Sequence, residues 1–174
     1  MAENQPSKNR VSTTTSFAEF GAQLRGFIYA DFDRLALELF QLQFEGNAPY
    51  RLICKSRGVS PVNVSHWSEI PAVPTAAFKE LDLSSLQPEE RTTVFHSSGT
   101  TAQKPSRHYH DSESLMIYEE VLMASFRENV IKAGPITVLS LTPSPAEASH
   151  SSLAHMFETV RRGLGSPEIG RAHV

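Results

Sequence analysis

The chain has 174 residues, 40% of them hydrophobic and 20% charged, which is enough for one folded domain. Lys and Arg number 16 against 19 Asp and Glu, a net charge of −3, so no basic excess points to nucleic acid, and the apolar runs are too short for a membrane span. A lone cysteine, Cys54, excludes an internal disulfide and a thiolate-built zinc site, and without a signal peptide the expected compartment is the cytoplasm.

Residues 1–15 carry Ser, Thr, Asn and Lys with almost nothing apolar and are expected to be disordered. From Ser16 the pattern changes. Ser16 can cap a helix with Phe17, Phe20, Leu24 and Phe27 on one side, and Asp31 can cap a second with Phe32, Leu35, Leu39 and Leu42 at helical spacing. Gly46-Asn47 ends that helix, and Pro49 suits the first turn of a third, holding Tyr50 and Ile53 and closed by Gly58. Pro61, Pro71, Pro74 and Pro88 make 59–91 an irregular layer, with room for a helical turn at Thr75–Leu81.

Thr92–His96 is β-branched and aromatic and reads as a strand, with Ser106–His110 as its returning partner. Asp111 can cap a long helix with Leu115, Tyr118, Leu122, Phe126 and Val130 on one face, stopped by Gly134-Pro135. Ile136–Leu141 has the composition of a buried strand. Ser149 or Ser151 then starts a helix with Leu153, Met156, Phe157 and Val160 inside, and Arg161 and Arg162 in the last turn suit its dipole. Strand, helix, strand, helix after a helical preface predicts an α/β fold.

The chemistry lies between the two paired strands. Ser97, Ser98, Thr100 and Thr101 surround Gly99, with Lys104 and Arg107 close behind. Hydroxyls and backbone N–H groups around a glycine can enclose an oxyanion, and the two cations can add charge-assisted bonds to phosphate. The spacing is neither that of a Walker A loop nor that of a nucleophile elbow. From these residues alone, a plain hairpin connection is the simpler reading.

The surroundings point further. Ser97–Thr101 resembles the phosphate-binding loop of adenylate-forming enzymes, and the chain more narrowly resembles the acyl-protein synthetase (LuxE-type) family. The resembling stretches are Phe32–Tyr50, Ile70–Pro74 with Phe78-Lys79, Ser97–His108, and Ser151–Met156. Ala102 departs from the pattern, which usually has a second glycine there; if that position needs a positive φ, alanine costs about 1 kcal/mol. The resemblance implies a layered adenylating domain, of which this chain is an N-terminal part with an incomplete sheet. It implies ATP-dependent activation of a fatty acid or other carboxylic acid to acyl-adenylate, Mg²⁺ arriving with ATP, and transfer to a protein cysteine and onward to an acyl reductase subunit, as in bioluminescence. Ser97, Ser98, Gly99, Thr100, Thr101, Lys104 and Arg107 would then hold the phosphates, and the acyl-accepting cysteine would lie further along. A phenylacetate–CoA ligase-like enzyme and a non-catalytic nucleotide-binding relative are the alternatives.

Other residues have plainer readings. Cys54 is expected to be a buried structural thiol rather than an acyl acceptor. His108 and His110 share a strand face and His96 can pair opposite, a three-histidine arrangement that Arg107 disfavours as a metal site. Lys79 can point at phosphate or simply be solvated. The Phe17, Phe20, Phe27 and Phe32 group reads as core rather than as an acyl tunnel. Glu168–Val174 matches the translation of a common sequencing adapter, followed in frame by a stop, so residues 16–167 are expected to form the partial domain and 168–174 a non-native tail.

Overall fold

The computed structural model describes residues 16–24, 32–97, 104–131, 138 and 140–164. The expected disorder of 1–15, the Asp31 cap, Phe27, the loop residues Ser98–Thr101 with Ala102, Gly134-Pro135 and the adapter-like tail lie outside the described residues.

Helix α1 spans Phe17–Leu24 and α2 spans Phe32–Gly46. The α1 start is a reciprocal cap: Glu19 N–H donates to Ser16 Oγ at 3.2 Å, and Ser16 N–H donates to the Glu19 carboxylate at 2.8 Å. Helix α2 buries two faces. Leu35 and Leu42, seven residues apart, meet Phe20 of α1, while Phe40 turns the other way onto Tyr50 and Cys54 of α3, Ala48–Ser56. Asn47 ends one helix and caps the next by accepting from Tyr50 N–H at 3.0 Å. Gly58, at φ 68°, takes the left-handed turn that releases the chain from α3.

The proline-punctuated stretch wraps this second core. Val59, Val64, Ile70, Val73 and Leu83 pack on it, Tyr50 Oη donates to Pro71 O at 3.0 Å, and Arg57 donates to Ala72 O at 3.0 Å. A short helix α4, Ala77–Glu80, falls inside the expected turn. The phenylalanine group divides: Phe20 is buried, but Phe32 is 45% exposed and meets the Trp67 ring edge-on at 5.7 Å. Cys54, clustered with Phe40 and Tyr50, is fully buried, as the sequence suggested.

Strands β1, Thr93–His96, and β2, Arg107–His110, form an antiparallel pair. Asp111 caps α5, Ser112–Asn129, by accepting from Ser114 N–H at 2.8 Å. Ser151, not Ser149, caps α6, Ser152–Gly163, by accepting from Ala154 N–H at 3.2 Å. The two helices approach closely where Gly163 faces Met123: a Cβ there would stand 2.5 Å from Met123 Cε. The fold is thus helix and strand mixed, with a two-stranded sheet. No helix among the described residues is long and apolar enough to cross a membrane.

The expected buried strand at 136–141 is not found at its described residues. Of its residues, Val138, Ser140 and Leu141 are described; none is in a strand, and Leu141 is 68% exposed. Ser140 Oγ bonds Thr142 Oγ1 at 2.7 Å and accepts from Thr142 N–H at 3.4 Å, a local turn that competes with extended pairing. Helix α5 also falls short of its expected burial: none of its residues is fully buried, and Met116 and Val121 are exposed.

Phe95 ties the sheet to the two long helices. It is buried, with ring centroids 6.1 Å from Tyr118 on α5 and 5.3 Å from His155 on α6. Phe95→Ala should therefore lower the unfolding free energy by about 3–5 kcal/mol in urea titration, the cost of emptying a buried aromatic site. A loss below about 1 kcal/mol would mean that the sheet does not depend on this anchor.

Candidate oxyanion site at the hairpin

The register pairs Thr93 with His110, Val94 with Tyr109, Phe95 with His108 and His96 with Arg107. Residues directly opposite share a face. Thr93, Phe95, His108 and His110 therefore lie on the side that meets the helices. Val94, His96, Arg107 and Tyr109 lie on the other. The three histidines considered together in the sequence are thus separated, His96 facing away from His108 and His110.

One residue beyond the last pair, the loop is closed twice. Ser97 N–H donates to Ser106 O at 3.1 Å, and Ser106 N–H donates to Ser97 Oγ at 3.0 Å. A buried Ser106 hydroxyl also bonds His108 Nε2 at 3.0 Å, and the His108 ring stacks on Phe78 of α4 at 5.2 Å. The base of the connection is therefore fixed on both strands. Ser97 and Lys104 are exposed at its two ends, and Arg107 is half-buried. Arg107 Nε is enclosed yet has no hydrogen-bond partner among the described residues. Of the expected phosphate ligands, Ser97, Lys104 and Arg107 are thus placed around one hairpin end. Lys79 is half-buried on α4.

Tyr109 continues the basic face. The Arg91 guanidinium sits 4.2 Å from its ring centroid and that of Arg107 6.0 Å. Arg91 is already paired with Asp82 at 2.8 Å.

No local pattern marks His150, which lies in the Pro- and Ser-rich connection before α6. Because Ser97 and Phe95 turn their backbone groups toward β2, Val94 and His96 turn theirs toward the free edge of β1. His150 meets both. Its carbonyl accepts from His96 N–H at 2.9 Å and its Nδ1 bonds Val94 O at 3.2 Å. The two imidazoles stack with centroids 4.5 Å apart. Burial, then the neighbouring His150 and Arg107, hold the His96 imidazolium below its ordinary range.

On the helix side, His110 is enclosed beside Phe95 and Tyr118, and its Nδ1 has no partner among the described residues. Burial lowers its pKa, chiefly against the pull of Asp111. His155 Nε2 bonds Glu119 at 2.7 Å across α5 and α6. No group of three His, Cys, Asp or Glu able to hold a metal ion occurs among the described residues.

A cavity of about 350 Å³ lies between α1, α2 and the start of α5, lined by Phe17, Phe20, Leu39 and Ile117. Asp111 and Glu113 on its wall disfavour a carboxylate there, so it is a poor seat for the head group of an acid.

No family model matches the chain, and neither a curated protein nor a solved structure does.

The half-buried His110 generates a pH dependence. A folded-state pKa below the ordinary 6.5 means that the unfolded chain takes up the proton first, so the contribution is complete above that value and is lost as pH falls through it. The melting temperature should fall between about pH 7.5 and about pH 5, and His110→Leu should flatten that slope. A wild-type melting temperature that is constant over this range would contradict the assignment of His110 as a neutral, enclosed group.

Proposed function

We propose that the chain is the N-terminal part of an ATP-dependent enzyme that activates a carboxylic acid, with the 97–107 hairpin cradling the β- and γ-phosphates. In this reading a carboxylate oxygen attacks the α-phosphorus, the bond to the bridging oxygen breaks, and pyrophosphate leaves with the charge that develops on it. Fixed donors at that position lower the barrier most, because they need no reorganisation as the charge appears. The substrate class suggested by the resemblance is a long-chain fatty acid, with the acyl group passing to a protein cysteine.

The observation that carries the reading is the hairpin itself. A Ser/Thr/Gly stretch connects two antiparallel strands, its ends are pinned by Ser97 and Ser106, and Arg107 Nε at its base is enclosed without a partner among the described residues. A guanidinium N–H buried without an acceptor is costly unless a ligand supplies one. The exposed Met116, Val121 and Leu153 on α5 and α6 support the view that further strands or helices complete the domain. In this reading Mg²⁺ arrives with the ATP it accompanies, and no step is assigned to it. Ala102 favours a second reading, a relative that binds nucleotide without turning it over.

Fatty-acid-dependent exchange of labelled pyrophosphate into ATP tests this in the full-length gene product. Exchange is expected there, and none from the 174-residue chain alone. Replacing Ser98 and Thr100 together with Ala should slow exchange at least about 100- to 1000-fold, the loss seen when one comparable oxyanion donor is removed. No exchange with any carboxylic acid would leave only nucleotide binding. A double variant as fast as the parent would remove the loop from the site.

A further inference from the structure

We propose that His96, Arg107 and His150 form a second wall of the hairpin's oxyanion site, with the two stacked imidazoles donating to a phosphoryl group held beside the Arg107 guanidinium. The proposal rests on the reading of the hairpin as a phosphate cradle and adds to it residues from the opposite side of the sheet, including one from the segment before α6.

The placement follows from the register. His96 and Arg107 are the last cross-strand pair before the loop, so their side chains leave the same face where the connection begins. His150 is brought there by the free edge of β1. A ring nitrogen facing a carbonyl can only donate, so the bond from Nδ1 to Val94 O places the neutral proton on Nδ1. That leaves His150 Nε2 as an acceptor when neutral and as a donor once the ring is protonated. Stacking at 4.5 Å with an interplanar angle of 24° holds the His96 ring parallel to it.

Three basic groups then share one face. The titratable and charged groups that face His96 are His150 and Arg107, and both oppose its protonation. Asp82 is engaged by Arg91. Without an anion, His150 and Arg107 both disfavour the charged form of His96. An oxyanion reverses that balance. It accepts from the Arg107 guanidinium and from the imidazoles, and its negative charge favours the protonated rings. The consequence is a coupling between protons and phosphate: the ligand should draw protons onto His96 and His150, and acid should strengthen the ligand's binding.

The test uses the chain with inorganic pyrophosphate as the probe, followed by the imidazole resonances of each histidine as pH is varied. With pyrophosphate present, His96 and His150 should titrate at higher pH than without it. The dissociation constant should weaken between about pH 6 and about pH 8 as the rings lose their protons. His96→Gln and His150→Asn should each weaken binding by about tenfold and flatten this dependence; the asparagine amide retains a donor for Val94 O, so loss of the edge contact is not the cause. Binding of pyrophosphate that leaves both imidazole titrations unchanged would overturn this inference and leave the hairpin reading intact. Absence of pyrophosphate binding at millimolar concentration would overturn both.

Discussion

The pairing of β1 with β2 in a single register is the constraint on which the rest of the site depends. It puts Ser97 opposite Ser106, where two hydrogen bonds close the loop, and His96 opposite Arg107, where two basic side chains leave one face. A slip of one residue would exchange the faces, turning Phe95 out of its buried position and His96 into it. Phe95 prevents this, because it alone in β1 is fully buried and packs against Tyr118 and His155. The apolar side of the hairpin thereby fixes the chemistry of the polar side. A two-stranded sheet has little stability by itself, so this packing, with α4 against β2 and His150 on the free edge of β1, is what makes the hairpin a defined support.

The N-terminal helices serve a different purpose. Helix α2 is apolar on two faces because it lies between α1 on one side and α3 with the proline-rich layer on the other. That layer has few repeating backbone bonds of its own and is held by side chains that reach its carbonyls, as Tyr50 and Arg57 do. Tyr50 shows the cost of the arrangement: burial and the adjacent Cys54 raise its pKa well above the ordinary phenol range, so it stays a neutral donor. The layer leads directly into β1, with Arg91 bridging Asp82 and the Leu86 carbonyl just before the strand begins. Its order thus bears on where the hairpin starts.

Much of the local structure was legible in the sequence because capping is short-range chemistry. Ser16, Asp111 and Ser151 each accept from a backbone N–H three residues on, and a polar residue before an apolar period signals that directly. The two strands were legible from their β-branched and aromatic content. The features that differed depend on a distant neighbour. Ile136–Leu141 has a strand's composition, yet the hydroxyls of Ser140 and Thr142 bond locally and Leu141 is exposed. Phe32 fits the helical period but faces Trp67 near the surface. His150 carries no periodic signal at all; its place is set by the unpaired edge of β1, which no local pattern in its own segment encodes. The places of Ser97, Lys104 and Arg107 at the hairpin ends were legible because they sit beside the strands that frame them, while the pairing of His96 with Arg107 needed the register.

The central claim is that the hairpin end binds phosphate. Backbone amide shifts of the chain titrated with ATP test it most directly. The account predicts that the largest changes fall on Ser97, Lys104, Ser106 and Arg107, with smaller ones at His96 and His150 and none at the cavity walls formed by Phe20 and Leu39. Saturating ATP that leaves the hairpin amides unmoved, or that moves the cavity residues instead, would contradict it.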